Sequence, residues 1–248
     1  MRTRLIIGVC AIAVSVLTSC GTDTSTGVGS DAVLNADLAT IAADAAAQDM
    51  EVMRGPSVGP FSLGLLARAG FFDCLREVRA RHAVNRTCTY KDAAGVTQPA
   101  YDPLTTASVL VHAGFSAEID RGRWSGSVER VRDLTVTGLA GDETEMTWNG
   151  TGTSVATRVR VSDEGTERRY ELTGSTTITN VVIPVPRTAT SWPKSGSLTN
   201  TVVASRPDGT TRERVVTVTF NGTQIVQVTV NGETFEFDLS QRGRARRK

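Results

Sequence analysis

Residues 202–237 read VVASRPDGTTRERVVTVTFNGTQIVQVTVNGETFEF, and this stretch decides the fold. Three dipeptides, Asp208-Gly209, Asn221-Gly222 and Asn231-Gly232, separate runs in which β-branched residues alternate with polar ones. Such dipeptides favour two-residue hairpin loops, because both central residues tolerate a positive φ. The stretch therefore predicts consecutive antiparallel strands joined by tight hairpins.

Two-residue loops also predict which residues lie opposite each other on neighbouring strands. The expected pairs are Val202–Val215, Val215–Val228, Thr217–Val226, Val228–Phe235 and Val226–Phe237. The pairs predict one continuous apolar face, made of Val202, Val215, Val226, Val228, Phe235 and Phe237. The opposite face mixes apolar and polar residues, which indicates that this side of the sheet is either partly covered or mildly amphiphilic.

The same period-two pattern begins near Asn85 and predicts further strands upstream. Apolar residues alternate from Val109 to Ile119, with His112 on the polar side, and the chain turns back at 120–122 into a strand over 124–137. Asn149-Gly150 is interpreted as another turn. After it, Val155, Val159 and Val161 are expected to form the apolar side of a strand and Ala156, Arg158 and Arg160 its polar side.

The last upstream strand spans Arg168 to Ile183, after a turn at Glu164-Gly165, and Pro184 ends it. Its predicted shared face consists of Tyr170, Leu172, Ile178 and Val182. About ten sequential antiparallel strands result, so a meander is the simplest topology. The expected fold is mainly β: a large sheet that curls around the N-terminal helices, or closes into a half-barrel or barrel.

An Ala-rich stretch from Asp31 to Arg54 predicts an amphipathic helix that ends at Gly55-Pro56. Its apolar stripe consists of Leu34, Leu38, Ile41 and Ala45, and its polar face carries Asp37, Asp44 and Asp49. A membrane-surface helix would carry Lys or Arg instead, so packing on the sheet is favoured. The domain is expected to span 31–241, with a helical part at 31–84, including a second short helix near 73–82, and the sheet at 85–241.

Export and anchoring are predicted by the first residues, MRTRLIIGVCAIAVSVLTSCG. Arg2 and Arg4 precede an apolar run that is too short to span a bilayer, which is typical of a secretory signal over residues 1–19. Leu17-Thr18-Ser19-Cys20 resembles the lipobox of bacterial lipoproteins. That resemblance implies cleavage before Cys20 and attachment of lipid with palmitate-type acyl chains to its thiol. Residues 20–30 then form a flexible tether. An ordinary secretory signal is the alternative.

Cys74 and Cys88 remain as a pair after Cys10 is removed and Cys20 is acylated. In an oxidising compartment an even pair favours a disulfide. A metal site is the alternative, but His82 alone cannot complete tetrahedral coordination. We therefore expect a Cys74–Cys88 disulfide and no metal or cofactor.

Charge segregates along the chain. Removing 1–19 leaves 25 basic and 26 acidic side chains, a net charge of −1. Five cations lie in a tail over 242–248 that is expected to be disordered, and the body without it carries −6. This tail consists of Arg242, Arg244, Arg246, Arg247 and Lys248. It is either a solvated end or a contact for anionic lipid or peptidoglycan, and the acidic body argues against nucleic-acid binding.

Catalytic motifs are weak. His112 is expected to be an exposed imidazole, and the S-x-x-K match at 191–194 lacks the required context because Pro193 interrupts it. Trp192 is interpreted as a loop residue folded on the sheet, with a partner anchor as the alternative. No enzyme is predicted. The expected function is a lipid-anchored envelope protein, on the periplasmic side of the outer membrane where the host has two membranes. It would be a non-catalytic binding module for an apolar or lipid ligand, or a structural lipoprotein with a filled core.

Overall fold

A computed structural model describes residues 26–54, 83–139, 144–185 and 191–241. Within these ranges, one helix, α1 (Thr26–Arg54), precedes ten strands. The strands are β1 (Ala83–Asp92), β2 (Thr97–Gln98), β3 (Thr106–Arg121), β4 (Trp124–Thr137), β5 (Glu145–Val161), β6 (Glu167–Pro184), β7 (Ser195–Ser205), β8 (Thr211–Thr219), β9 (Ile225–Val230) and β10 (Glu233–Asp238). They form a single antiparallel sheet in the order β10-β9-β8-β7-β6-β5-β4-β3-β1-β2. The predicted meander of ten strands is confirmed, and it stays open, with β10 and β2 at its edges.

The sheet curls around α1. Four strand spacings, about 19 Å in a flat sheet, separate β6 from β10. Arg168 of β6 nevertheless contacts Asp37, while Glu233 at the start of β10 contacts Asn35, within one turn of the same helix. We call the side of the sheet that faces α1 the concave face, and its other side the convex face. The core lies between α1 and the concave face.

The helix is buried on nearly every side. Every residue from Leu34 to Met50 is buried or half-buried, so the predicted polar face of the helix is enclosed together with its apolar stripe. The helix ends at Arg54 as predicted, but it begins at Thr26, five residues before the expected start. Residues 26–30, expected in the tether, are therefore helical in spite of the low helix propensity of Gly27 and Gly29. The predicted signal, Cys20, the second helix near 73–82 and the tail over 242–248 lie outside the described residues.

The three C-terminal hairpins differ in how well the sequence predicts their register. Asn231-Gly232 forms the expected type I′ turn, with φ of 47° and 87°, and Val228 lies opposite Phe235 as predicted. At Asp208-Gly209 the loop has three residues, because the N–H of Arg206 donates to the carbonyl of Thr210. The extra residue shifts the register by one, so Val202 lies opposite Arg214 instead of Val215.

The Asn221-Gly222 prediction is wrong in register, because the loop is longer than two residues. The N–H of Gly222 donates to the carbonyl of Pro193, and the N–H of Phe220 donates to the carbonyl of Gly196. These hydrogen bonds tie the loop to the segment before β7, and β8 and β9 pair only up to Thr219–Gln227. Val218 consequently lies opposite Val228, and Val215 points to the convex side with 47 % of its surface exposed. The other five residues of the predicted apolar face do lie on the concave side.

Two upstream predictions are also wrong. Asn149-Gly150 is not a turn, because it lies inside β5 at a shift in register, where a Cβ on Gly150 would lie 2.1 Å from the carbonyl oxygen of Asp133. In β6 a second shift falls at Asn180, with φ 47°, so that Val181 and Ile183 are buried instead of Val182. β-Bulges of this kind place two residues opposite one and exchange the faces beyond them.

Candidate functional site

The apolar and polar sides of β5 are the reverse of the prediction. Val155 is 58 % exposed on the convex side, whereas Arg158 is 4 % exposed on the concave side. In β8 the faces are likewise exchanged, because Arg214 is buried and Val215 is exposed, and Arg130 and Arg132 of β4 are buried as well. A side chain and its i+2 neighbour share a face of a strand, so the arginines extend in rows over the concave face. The row residues are Arg130, Arg132, Arg158, Arg160, Arg168, Arg212 and Arg214.

Asp37 is the centre of the first cluster of contacts between α1 and the sheet. Its carboxylate is fully buried and accepts hydrogen bonds from Arg160, from Arg168 at 2.9 and 3.2 Å, and from the hydroxyl of Tyr170 at 2.7 Å. Arg160 and Arg168 lie directly opposite each other on β5 and β6, where like charges repel. The carboxylate between them offsets that repulsion. Arg160 also lies 5.2 Å from the ring centroid of Trp124, its cross-strand neighbour on β4.

Two pKa shifts follow from this cluster. The hydrogen bonds from Arg168 to Asp37 raise the pKa of the guanidinium, and burial of the side chain opposes that effect. Burial raises the pKa of Tyr170 to about 12, and its bond to the Asp37 carboxylate adds to the rise. Tyr170 therefore stays protonated and remains a donor over the whole neutral range.

Asp49 forms the second cluster, on β4. Arg132 donates two hydrogen bonds to its carboxylate, at 3.2 and 3.1 Å, and both side chains are almost completely buried. Arg130 donates to the amide oxygen of Gln48 at 2.9 Å. Burial lowers the pKa of Arg130, against the raising effect of Asp49. The negative charge of Asp49 thus acts on both Arg130 and Arg132 at this end of the helix.

The third cluster lies at the N-terminal end of α1. Arg214 of β8 contacts Asp31 at 2.9 Å and donates to the side-chain oxygen of Asn35 at 3.1 Å. Asn35 in turn donates to Glu233 of β10 at 3.2 Å. Arg212 lies 3.9 Å from Asp31. The three clusters together position α1 along most of its length.

The rows carry more positive charge than α1 carries negative charge. Six of these arginines contact α1, whereas the acids described on this helix that contact or electrostatically influence them are Asp31, Asp37, Asp44 and Asp49. Guanidinium groups in fork geometry bind carboxylate or phosphate well. An open cleft of about 600 Å³ adjoins the Asp37 cluster. Its charged lining consists of three arginines, Arg168, Arg169 and Arg206, and two carboxylates, Glu167 and Asp208, and Tyr170 and Val33 line it as well.

The sequence-predicted site residues lie elsewhere. Cys88 is half-buried on the concave side of β1, while Cys74 lies outside the described residues, so the disulfide stays a prediction. His112 is exposed on the convex side and contacts Asp133 at 2.7 Å, as expected for a surface imidazole. Trp192 is half-buried and packs against the core, which matches its interpretation as a loop residue. The arginine rows were not predicted from the sequence. Two signals indicate them: Arg-x-Arg repeats on the strands, and aspartates on α1 that can pair with them.

The described residues contain no group of three His, Cys, Asp or Glu side chains that could hold a metal ion. Within the same ranges, no helix has the length and hydropathy of a membrane span. Comparisons with protein-family descriptions, curated proteins and solved structures gave no match.

Proposed function

We propose that the protein is a lipid-anchored protein of the bacterial cell envelope that acts as a non-catalytic binding module for an apolar or lipid ligand. The anchor is Cys20 of the lipobox. Five residues lie between Cys20 and the start of α1 at Thr26, so the two are at most six Cα–Cα steps, about 21 Å, apart. An acylated Cys20 would thus hold the N-terminal end of α1 close to the membrane surface.

One observation carries the proposal: the concave face is apolar in one part and cationic in another. Val216, Val218, Val226, Val228 and Val230 form a buried apolar strip on β8 and β9, next to Arg214. The arginine rows continue on β4, β5 and β6. A lipid with an acyl chain and an acidic head group would complement these two parts of the face.

The cost of burying arginine supports a role beyond packing. Replacing buried ion pairs by apolar residues of similar volume is often neutral or stabilising. A concave face that only had to hold an Ala-rich helix would not need so many arginines. Their presence favours a surface that binds something charged.

A structural or interaction protein with a filled core is the second candidate. It is favoured by the position of α1, which covers the concave face along β8, β9 and β10 and reaches β4. In that case the arginines serve only to position the helix.

A binding experiment on an acylation-free protein separates the two candidates. The mature chain with Cys20→Ser is secreted behind a conventional signal, and native mass spectrometry detects any lipid that copurifies. Titration with a fluorescent fatty-acid analogue then measures affinity. We expect saturable binding with one ligand per chain, weakened about tenfold by Arg168→Gln, since a hydrogen bond to a charged group contributes about 1.5–3 kcal/mol.

Arg123→Gln is the matched control, because Arg123 lies in the β3–β4 loop and contacts Asp163 in a solvent-exposed pair. It should leave the affinity unchanged. Absence of copurifying lipid together with absence of saturable binding would leave the filled-core candidate.

A further inference from the structure

We propose that α1 is a built-in competitor: its aspartates occupy the arginines that bind the acidic head group of an anionic amphiphile, and the ligand binds as the helix withdraws. This inference rests on the proposed function and names its ligand class. The shared chemistry is a single acyl chain with a carboxylate or phosphate head.

The geometry at Asp37 supports the head-group assignment. Its carboxylate is held by two guanidinium groups and a phenol, with both oxygens engaged. Charge-assisted bonds of this kind recognise any carboxylate or phosphate that reaches the same position. The Asp37 carboxylate is itself buried, and the open cleft reaches two of its partners, Arg168 and Tyr170.

The charge excess supports competition over simple packing. Arg130 is buried, and the contact described for it is to the neutral amide of Gln48. Asp37 serves two arginines at once, and so does Asp31. An added anion would therefore enter a region where cations exceed carboxylates.

The middle of α1 is rich in alanine. Among its buried residues five are alanines, Ala39, Ala42, Ala43, Ala46 and Ala47, which bury little apolar area each. The larger buried apolar side chains, Leu34, Leu38, Met50 and Met53, lie on either side of these alanines, and the ion pairs add to their contacts. Withdrawal would uncover the valine strip of β8 and β9, which an acyl chain could cover instead.

The test compares ligands and exchange rates in the Cys20→Ser protein. Dodecanoate, dodecyl phosphate and the neutral 1-dodecanol are titrated below their aggregation limits, and hydrogen exchange is followed for α1 and for the sheet. We expect both anions to bind at least tenfold more tightly than the alcohol. We expect anion binding to accelerate exchange in α1 over 34–50 and to leave β4–β6 protected.

The Asp37→Asn substitution removes the negative charge by which α1 competes with the ligand, and it keeps the size and shape of the side chain. Because apparent affinity scales with the fraction of binding-competent molecules, this variant should bind both anions about tenfold more tightly than the wild type. Asp133→Asn removes a carboxylate from the convex face and should change nothing. Circular dichroism checks that both variants remain folded, and the wild-type exchange experiment needs no variant.

The outcomes separate the two proposals. If no amphiphile binds to either the wild type or Asp37→Asn, the proposed function itself is wrong. If the alcohol binds as tightly as the anions, or α1 becomes more protected, or Asp37→Asn fails to increase affinity, the protein binds ligand without competition from α1 and this inference is overturned. Binding of only one of the two anions identifies the head group.

Discussion

Asp37 shows how one buried carboxylate positions a helix on a sheet. A fully buried charge is stable only with close partners, and here two arginines and a tyrosine supply them. The partners are three different residues, Arg160 on β5 and Arg168 and Tyr170 on β6. A small movement of α1 would therefore lengthen several hydrogen bonds at once. The cluster thus favours one orientation of the helix about its own axis.

Tyr170→Phe tests the contribution of the phenol. Since the pKa of Tyr170 is about 12 in the folded protein and about 10 in an unfolded chain, its stabilising effect is complete below pH 10 and is lost as the pH rises towards 12. We expect the variant to be less stable than the wild type at pH 8, and the difference to shrink between pH 10 and 12. Urea unfolding at a series of pH values measures this, and a constant difference would contradict it.

Gly152 is a position where the absence of a Cβ atom allows close packing between β4 and β5. A Cβ there would lie 2.3 Å from the backbone oxygen of Val131 and 2.6 Å from Nη1 of Arg132. Gly152→Ala should therefore lower the free energy of unfolding by about 1–3 kcal/mol, the usual cost of overpacking.

Gly114→Ala is the matched control for that substitution. Gly114 lies on β3, and its nearest neighbour would be 4.0 Å from the new Cβ. Alanine is favoured over glycine within a strand, so this variant should be as stable as the wild type or slightly more stable. Equal destabilisation of both variants in chemical denaturation would show that the close approach at Gly152 is not the cause.

At the scale of elements, the helix and the sheet are joined by ion pairs as much as by apolar contacts. Asp49 and Arg132 form the most deeply buried of these pairs, with two parallel hydrogen bonds. Breaking one partner of such a pair leaves an uncompensated buried charge, whereas replacing both removes the charge altogether.

A double-mutant cycle tests this pair. Asp49→Ala alone should cost about 3–5 kcal/mol, because Arg132 then loses its carboxylate. Asp49→Ala combined with Arg132→Met should recover a large part of that loss. Thermal and urea unfolding give the four stabilities. Additive effects of the two substitutions would show that the contact contributes no coupling energy.

The predicted Cys74–Cys88 disulfide would connect β1 to the segment between α1 and the sheet. Cys88 lies on β1 opposite Val111, so the bond would hold that segment near the concave face. In the chain-entropy model it contributes about 3 kcal/mol. Thiol titration of the unfolded, unreduced mature protein should detect neither cysteine, and two reactive thiols would refute the pairing.

At the scale of the whole molecule, an open sheet wraps a helix that lies next to the predicted anchor. The sheet ends on one side at β10, which has six residues. On the other side it ends at β1, which the two-residue β2 pairs with only at Tyr90 and Lys91. The N-terminal end of α1 is the part nearest to Cys20 in the chain.

The anchor is tested at the mature N-terminus. We expect mass spectrometry of the membrane-extracted protein to find an acylated Cys20 as the first residue, and Cys20→Ser to release the protein from the membrane fraction. A mature chain that begins at an unmodified residue, or membrane association that survives the substitution, would contradict the lipobox interpretation.

The sequence by itself determined that a helical segment precedes an antiparallel meander of about ten strands. Val109 to Ile119, Asn231-Gly232 and the Ala-rich stretch before Gly55 were read correctly, because period, turn chemistry and helix breakers act within a few residues. It did not determine which way Val155 and Arg158 point. Alternation defines two faces of a strand but does not show which of them is buried. Hydrophobicity alone predicted the wrong face of β5 to be buried.

Only the tertiary structure decided that the arginines face inward. Arg132 and Arg160 are stable in the interior because Asp49 and Asp37, more than eighty residues away in the chain, meet them there. The Asn221-Gly222 loop was likewise set by distant hydrogen bonds, to the carbonyls of Pro193 and Gly196. Local preferences are small compared with the cost of an unpaired buried charge or carbonyl, so long-range partners decided both features.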